Sequence, residues 1–145
     1  MIKIICLGKI KEDYLNKMIE DYTKRISKYH KIQIIELKDE NDLNIEKQSI
    51  EKYIGKQDYV VALDIKGEMI DSISLSKKIE DIFMQSGTIT FIIGSSDGLH
   101  EDIKRRADYR LSFSKMTFPH GMFRAILLEQ IYRSFKISNN EKYHK

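Results

Sequence analysis

The apolar residues of this chain switch their spacing in regular alternation, and that pattern restricts the fold more than any other feature. Ile2 to Leu7 is a nearly continuous apolar run ended by Gly8, as in a strand buried on both faces. Leu15, Met18, Ile19, Tyr22, Ile26 and Tyr29 then recur three and four apart, which predicts a helix with one apolar side. Ile32 to Leu37 reads as a second strand, and Asn44 to Ile54 as a helix stopped by Gly55. Tyr59 to Leu63 is a third strand, followed by a turn at Lys66-Gly67. Leu75, Ile79, Ile82 and Phe83 mark a helix ending at Gly87, and Thr88 to Ile93 is β-branched and aromatic, a fourth strand. A short helix near Leu99–Ala107, a strand near Tyr109–Phe113 and a long helix from Pro119 complete the series. The last carries Phe123, Ile126, Leu127, Ile131 and Phe135 at helical spacing. Strands alternating with helices predict an α/β domain, a mostly parallel sheet with helices on both faces. With no repeat, linker or low-complexity tract, residues 1–145 read as one domain.

The unusual residues fall in three loops: Leu63 to Gly67, Gly94-Ser95-Ser96-Asp97-Gly98, and Ser112 to His120. Each begins where a strand ends. The carboxyl ends of parallel strands share one edge of a sheet, and ligands bind in the crevice outside them. The spacing therefore predicts one site built from all three loops. The glycine loop is neither a P-loop, since no Gly-Lys-Ser/Thr follows, nor the dinucleotide fingerprint; a tight turn would explain it equally. The loop from Ser112 mixes hydroxyls, apolar side chains and a proline, a lining better suited to an adenine ring than to a triphosphate. His120 reads equally as a packing histidine.

Composition excludes several classes. No apolar run approaches the roughly 20 residues of a membrane span, and the opening residues read as a strand rather than a signal peptide. The single cysteine, Cys6, lies inside that strand; a small buried hydrophobe is expected, with neither a disulfide nor a Cys-rich zinc site. These features predict a cytoplasmic protein without a membrane or metal role. Residues 1–98 hold 15 Lys+Arg against 17 Asp+Glu, whereas residues 99–145 hold 10 against 5. A basic final third suits a polyanion such as RNA, or is simply a solvated surface.

The string SFSKMTFPHGMFRAILLEQIYRSFKI, residues 112–137, with the terminal Tyr143-His144-Lys145, resembles the RlmH family of ribosomal RNA large subunit methyltransferases. Leu63-Asp64 with Gly67, the Ile92-Ile93-Gly94 loop and the opening strand through Gly8-Lys9 extend the resemblance over essentially the whole chain. It implies a SPOUT fold, whose C-terminal part is threaded into a deep trefoil knot, and a homodimer. It also implies S-adenosylmethionine as methyl donor and methylation of N3 of a pseudouridine in 23S ribosomal RNA. Cofactor contacts would fall on Leu63, Gly94 and the run Phe113, Ser114, Lys115, Met116, Thr117 and Phe118. Where many relatives have a second glycine this chain has Ser95, which fits if its φ is negative.

Such a reaction needs no metal and no covalent nucleophile, since the methyl group on a sulfonium is already activated. It needs the base held in line and a group that removes or stabilises the imide proton. His144, His120 and Glu129 are candidates for the proton, Arg133 for a phosphate or the base's oxygens, and Tyr143 for stacking on a base. Glu129 and Arg133 also satisfy the spacing of an ordinary helix-surface pair, and the last three residues that of a frayed terminus. Two other readings stand: a non-catalytic ribosome- or RNA-binding module that keeps the fold, and a flavodoxin-like nucleotide binder.

Overall fold

The computed structural model describes residues 1–145. Strands and helices alternate along the chain: β1 (Ile2–Leu7), α1 (Asp13–Ser27), β2 (Ile32–Leu37), α2 (Leu43–Glu51), β3 (Tyr59–Met69), α3 (Ser72–Gln85), β4 (Ile89–Ile93), α4 (Glu101–Arg106), β5 (Tyr109–Ser112) and α5 (His120–Ser138). The five strands form one sheet in the order β2-β1-β4-β3-β5, and every neighbouring pair is parallel. The α/β architecture expected from the apolar spacing is present.

Burial explains the two kinds of strand. β4 is buried at all five positions and sits mid-sheet between β1 and β3, which is why its sequence has no polar alternation. β2, at the edge, is only half-buried. One face of the sheet carries α1, α3 and α5, packed through Leu15, Ile19, Leu75, Ile79, Leu127 and Ile131 onto Ile4, Phe91 and Leu111. The other carries α2 and α4, packed through Ile50 and Ile103 onto Ile5, Val60 and Ile92. Cys6 is fully buried within β1, and desolvation pushes its thiol up to about 11, as expected for a core side chain.

Three boundaries differ from the sequence pattern. The helix expected over 44–54 ends at Glu51, before Gly55. Pro119 caps α5 instead of opening it. The turn expected at Lys66-Gly67 is absent, because β3 runs on to Met69 beside β5. Its register with β5 breaks between Leu63 and Glu68, so the intervening residues bulge out of the ladder. Gly67 makes this possible: a Cβ there would lie 2.7 Å from the Arg110 backbone, and only hydrogen fits where the strands approach so closely.

The connection after β5 positions the site. β5 is the edge strand beside β3, yet the first residue of α5, His120, hydrogen-bonds the Leu7 carbonyl at the end of β1. Residues 113–119 therefore cross the carboxyl ends of β3 and β4 to reach β1.

Candidate active site

That crossing closes a cavity of about 300 Å³ over the strand edge. All three loops line it: Leu63, Asp64 and Ile65 from the bulge of β3, Gly94 to Ser96 with Gly98 after β4, and Ser112 to Ser114 with Met116 to Phe118 after β5. His120 and Phe123 complete the wall from α5. Of the residues expected to hold a cofactor, Leu63, Gly94, Phe113, Ser114, Met116, Thr117 and Phe118 line this space. Lys115 does not; it is exposed to solvent.

The glycine loop is shaped by its own backbone. Gly98 donates its N–H to the Ser95 carbonyl at 2.9 Å and has φ +84°, a conformation natural to glycine. A Cβ on Gly94 would overlap the Gly98 carbonyl and come within 3.0 Å of Leu99 Cγ. Gly94 is thus required for the loop to close on itself, where the sequence suggested a need for ligand approach. Ser95 has a negative φ, since only Asn41 and Asn140 among non-glycine residues are positive. Its buried hydroxyl donates to Glu46 Oε1 at 3.0 Å, while Glu46 Oε2 accepts the Glu40 N–H at 3.0 Å. Glu46 is 2% exposed, and desolvation raises its pKa above the usual carboxylate range. This carboxylate ties α2 to the loop, and only its presence on a buried helix position could have signalled it.

His120 donates from Nε2 to the Leu7 carbonyl, because a carbonyl can only accept. Desolvation lowers its pKa, so the ring is neutral at neutral pH with its remaining lone pair on Nδ1. Four residues on, Arg124 is 2% exposed and bonds Glu36 at 2.6 Å and the Gly8 carbonyl at 2.9 Å. The two side chains lock α5 to the end of β1.

The remaining candidates form a second group away from the cavity wall. Arg133 Nε donates to Glu129 Oε1 at 2.8 Å, so the expected i,i+4 pair exists, with side chains 24% and 14% exposed. The tail folds back onto it. The Tyr143 ring meets Tyr132 edge-on at 4.9 Å and lies 4.7 Å beneath the Arg133 guanidinium. Burial raises its phenol pKa. Arg133 Nη1 lies 3.0 Å from His144 Nδ1, and since a guanidinium only donates, Nδ1 is the acceptor in this contact. A second cavity of about 360 Å³ shares Leu111, Phe113 and Phe118 with the first and reaches Asp71 and Gln130, but none of Glu129, Arg133, Tyr143 and His144 lines it. Gln130 donates to Glu129 Oε2 at 3.1 Å.

Comparison with known proteins agrees with this architecture. A family model described as "Predicted SPOUT methyltransferase" matches residues 1–144. A Methanococcus maripaludis protein is 49% identical over 99% of both chains. Proteins of Clostridium kluyveri and Clostridioides difficile, 48% and 47% identical over 99% of both chains, are each named ribosomal RNA large subunit methyltransferase H. Among solved structures, a methylase-family protein of Haemophilus influenzae superposes with a TM-score of 0.57 at 14% identity, covering 99% of this chain and 70% of that one; this likeness concerns the fold alone. The chain belongs to the ribosomal RNA large subunit methyltransferase H family, within the SPOUT methyltransferases.

Proposed function

We infer that the protein is an S-adenosylmethionine-dependent methyltransferase acting on N3 of a pseudouridine in 23S ribosomal RNA, as a cytoplasmic homodimer. The observation that carries the cofactor reading is the chemistry of the first cavity. Its walls are apolar and aromatic, with backbone and hydroxyl groups between, and include no Lys or Arg. Without Lys or Arg there, a phosphate-bearing nucleotide lacks charge-assisted partners, whereas an adenosine with a sulfonium needs none. Leu63, Phe113, Met116 and Phe118 supply apolar surface for the adenine, and the backbone of residues 113–118 supplies edge contacts.

When bound, the cofactor supplies an activated methyl group. The protein's part is to hold the base in line with it and to manage the imide proton. Neutral His120, at the cavity wall, is one group for that proton. Glu129 and His144 are the others; Glu129 meets the second cavity only through Gln130, and Arg133 and Tyr143 beside them would hold and stack the substrate. The knotted topology belongs to the same reading. The crossing of residues 113–119 past β3 and β4 supports it, because such a threading needs a return of that kind.

Incubating the protein with methyl-labelled S-adenosylmethionine and ribosomal particles, then mapping the label by mass spectrometry, tests the whole. One methylated pseudouridine in 23S RNA is expected. Binding to ribosomes with no cofactor binding and no label would instead identify a non-catalytic module.

A further inference from the structure

Asp64 is built into the first cavity yet has no part in the reading above. It lies where the β3–β5 ladder breaks, with its side chain 6% exposed. Its Oδ1 accepts the Lys66 backbone N–H at 3.1 Å, a local turn that fixes the carboxylate. Its Oδ2 has Lys104 Nζ at 3.9 Å, the outer limit of an ion pair. Lys104 also lies 3.4 Å from Glu101, so one cation is divided between two acids. Asp64 is the one residue of formal charge lining the cavity. Neutral His120 adds no positive charge to the wall. An almost buried carboxylate with an incomplete counter-ion makes the cavity electrically negative, and shielding from water lengthens the reach of that field.

Such a field reads one difference between the methyl donor and what it becomes. S-adenosylmethionine carries a positive charge at sulfur. S-adenosylhomocysteine, formed when the S–CH3 bond breaks and the methyl joins the ring nitrogen, is a neutral thioether. The charge leaves as the proton released from that nitrogen. The two molecules are otherwise the same, so shape complementarity alone separates them poorly. We propose that Asp64 is the residue that discriminates donor from product, holding the cationic sulfonium form in preference to the neutral thioether. It thereby favours exchange of spent cofactor for fresh. Lys104 opposes it and sets the strength of the preference.

The proposal rests on the S-adenosylmethionine reading, and calorimetry separates the two. Dissociation constants for S-adenosylmethionine and S-adenosylhomocysteine are measured for the wild type, Asp64→Asn and Lys104→Gln. Asparagine keeps the size and the turn-forming oxygen, so the loop is preserved. Asp64→Asn is expected to weaken the donor about tenfold, the scale of one charge acting over roughly 12 Å at an effective dielectric of about 20, and the product less than about twofold. Lys104→Gln, which frees the carboxylate, is expected to move the ratio the other way; it decides the matter should Asp64→Asn fail to fold. Equal weakening of both ligands by Asp64→Asn, or an unmoved ratio in Lys104→Gln, overturns the proposal. A wild-type protein that binds neither ligand overturns the cofactor reading instead.

Discussion

At the scale of single residues, the cavity is set by positions that leave no room for substitution. Gly94 is the sharpest case, because a methyl group there meets backbone, at Gly98, and not the movable end of a side chain. Overlap with backbone must displace the loop, and small-to-large changes at packed sites cost about 1–3 kcal/mol. Gly94→Ala is therefore expected to lower stability on that scale in denaturant unfolding and to raise the S-adenosylmethionine dissociation constant at least tenfold. Unchanged affinity would show that the loop accommodates the methyl and that the Gly98 contact does not shape the cavity. The hydroxyl at Ser95 works in the opposite sense to Gly94, adding a contact: it satisfies one oxygen of Glu46, a carboxylate that would otherwise be costly to bury.

At the scale of elements, the tail after α5 is anchored at Tyr143, while His144 and Lys145 are exposed. Tyr143 covers Tyr132 and approaches the Tyr22 hydroxyl at 3.5 Å, while no tail residue lines the first cavity. A variant lacking residues 143–145 should lose about 1 kcal/mol, the worth of an aromatic pair, and bind S-adenosylmethionine as the full chain does. It should lose most methyl transfer to ribosomes, and full transfer would remove the tail from catalysis. The elements themselves were legible because burial dictates spacing: β4 is continuous in sequence for the same reason that it is central in the sheet. The convergence of three loops was legible from parallel strand order. Less so was β3 beyond Leu63, where Lys66-Gly67 spells a turn and tertiary pairing with β5 makes a bulge. Glu46 was missed as part of the site, and Asp64, inside a loop placed there, was given no role, because those roles depend on partners 49 and 40 positions away, Ser95 and Lys104, which no local pattern encodes.

At the scale of the molecule, the basic final third resolves into paired and unpaired charge. Lys104, Arg105, Arg106, Arg124, Arg133 and Lys136 all sit in ion pairs, whereas Arg110, Lys115, Lys142 and Lys145 are exposed and supply the surface charge left for a polyanion. A 17.1 kDa chain offers little area to a structured RNA, and two-fold assembly is the usual means of enlarging it. We assign the proposed two-fold contact to exposed apolar side chains where two helices begin. Gly121 of α5 sits against Ile10 and Leu15, bringing the starts of α1 and α5 together. Around this junction Tyr14, Met18 and Met122 are 67%, 37% and 39% exposed, and large side chains of this kind left grouped in water mark contact surfaces. Light scattering on a sizing column should give twice 17.1 kDa for the wild type, and the pair Tyr14→Asp with Met18→Glu should give the monomer, because each copy would bring two new charges into the interface. If the second subunit completes the site, that monomer should still bind S-adenosylmethionine, since neither substitution touches the cavity wall, yet fail to methylate ribosomes. A wild-type monomer at micromolar concentration would sink the dimer, and a variant monomer with full transfer would place every catalytic group within one chain.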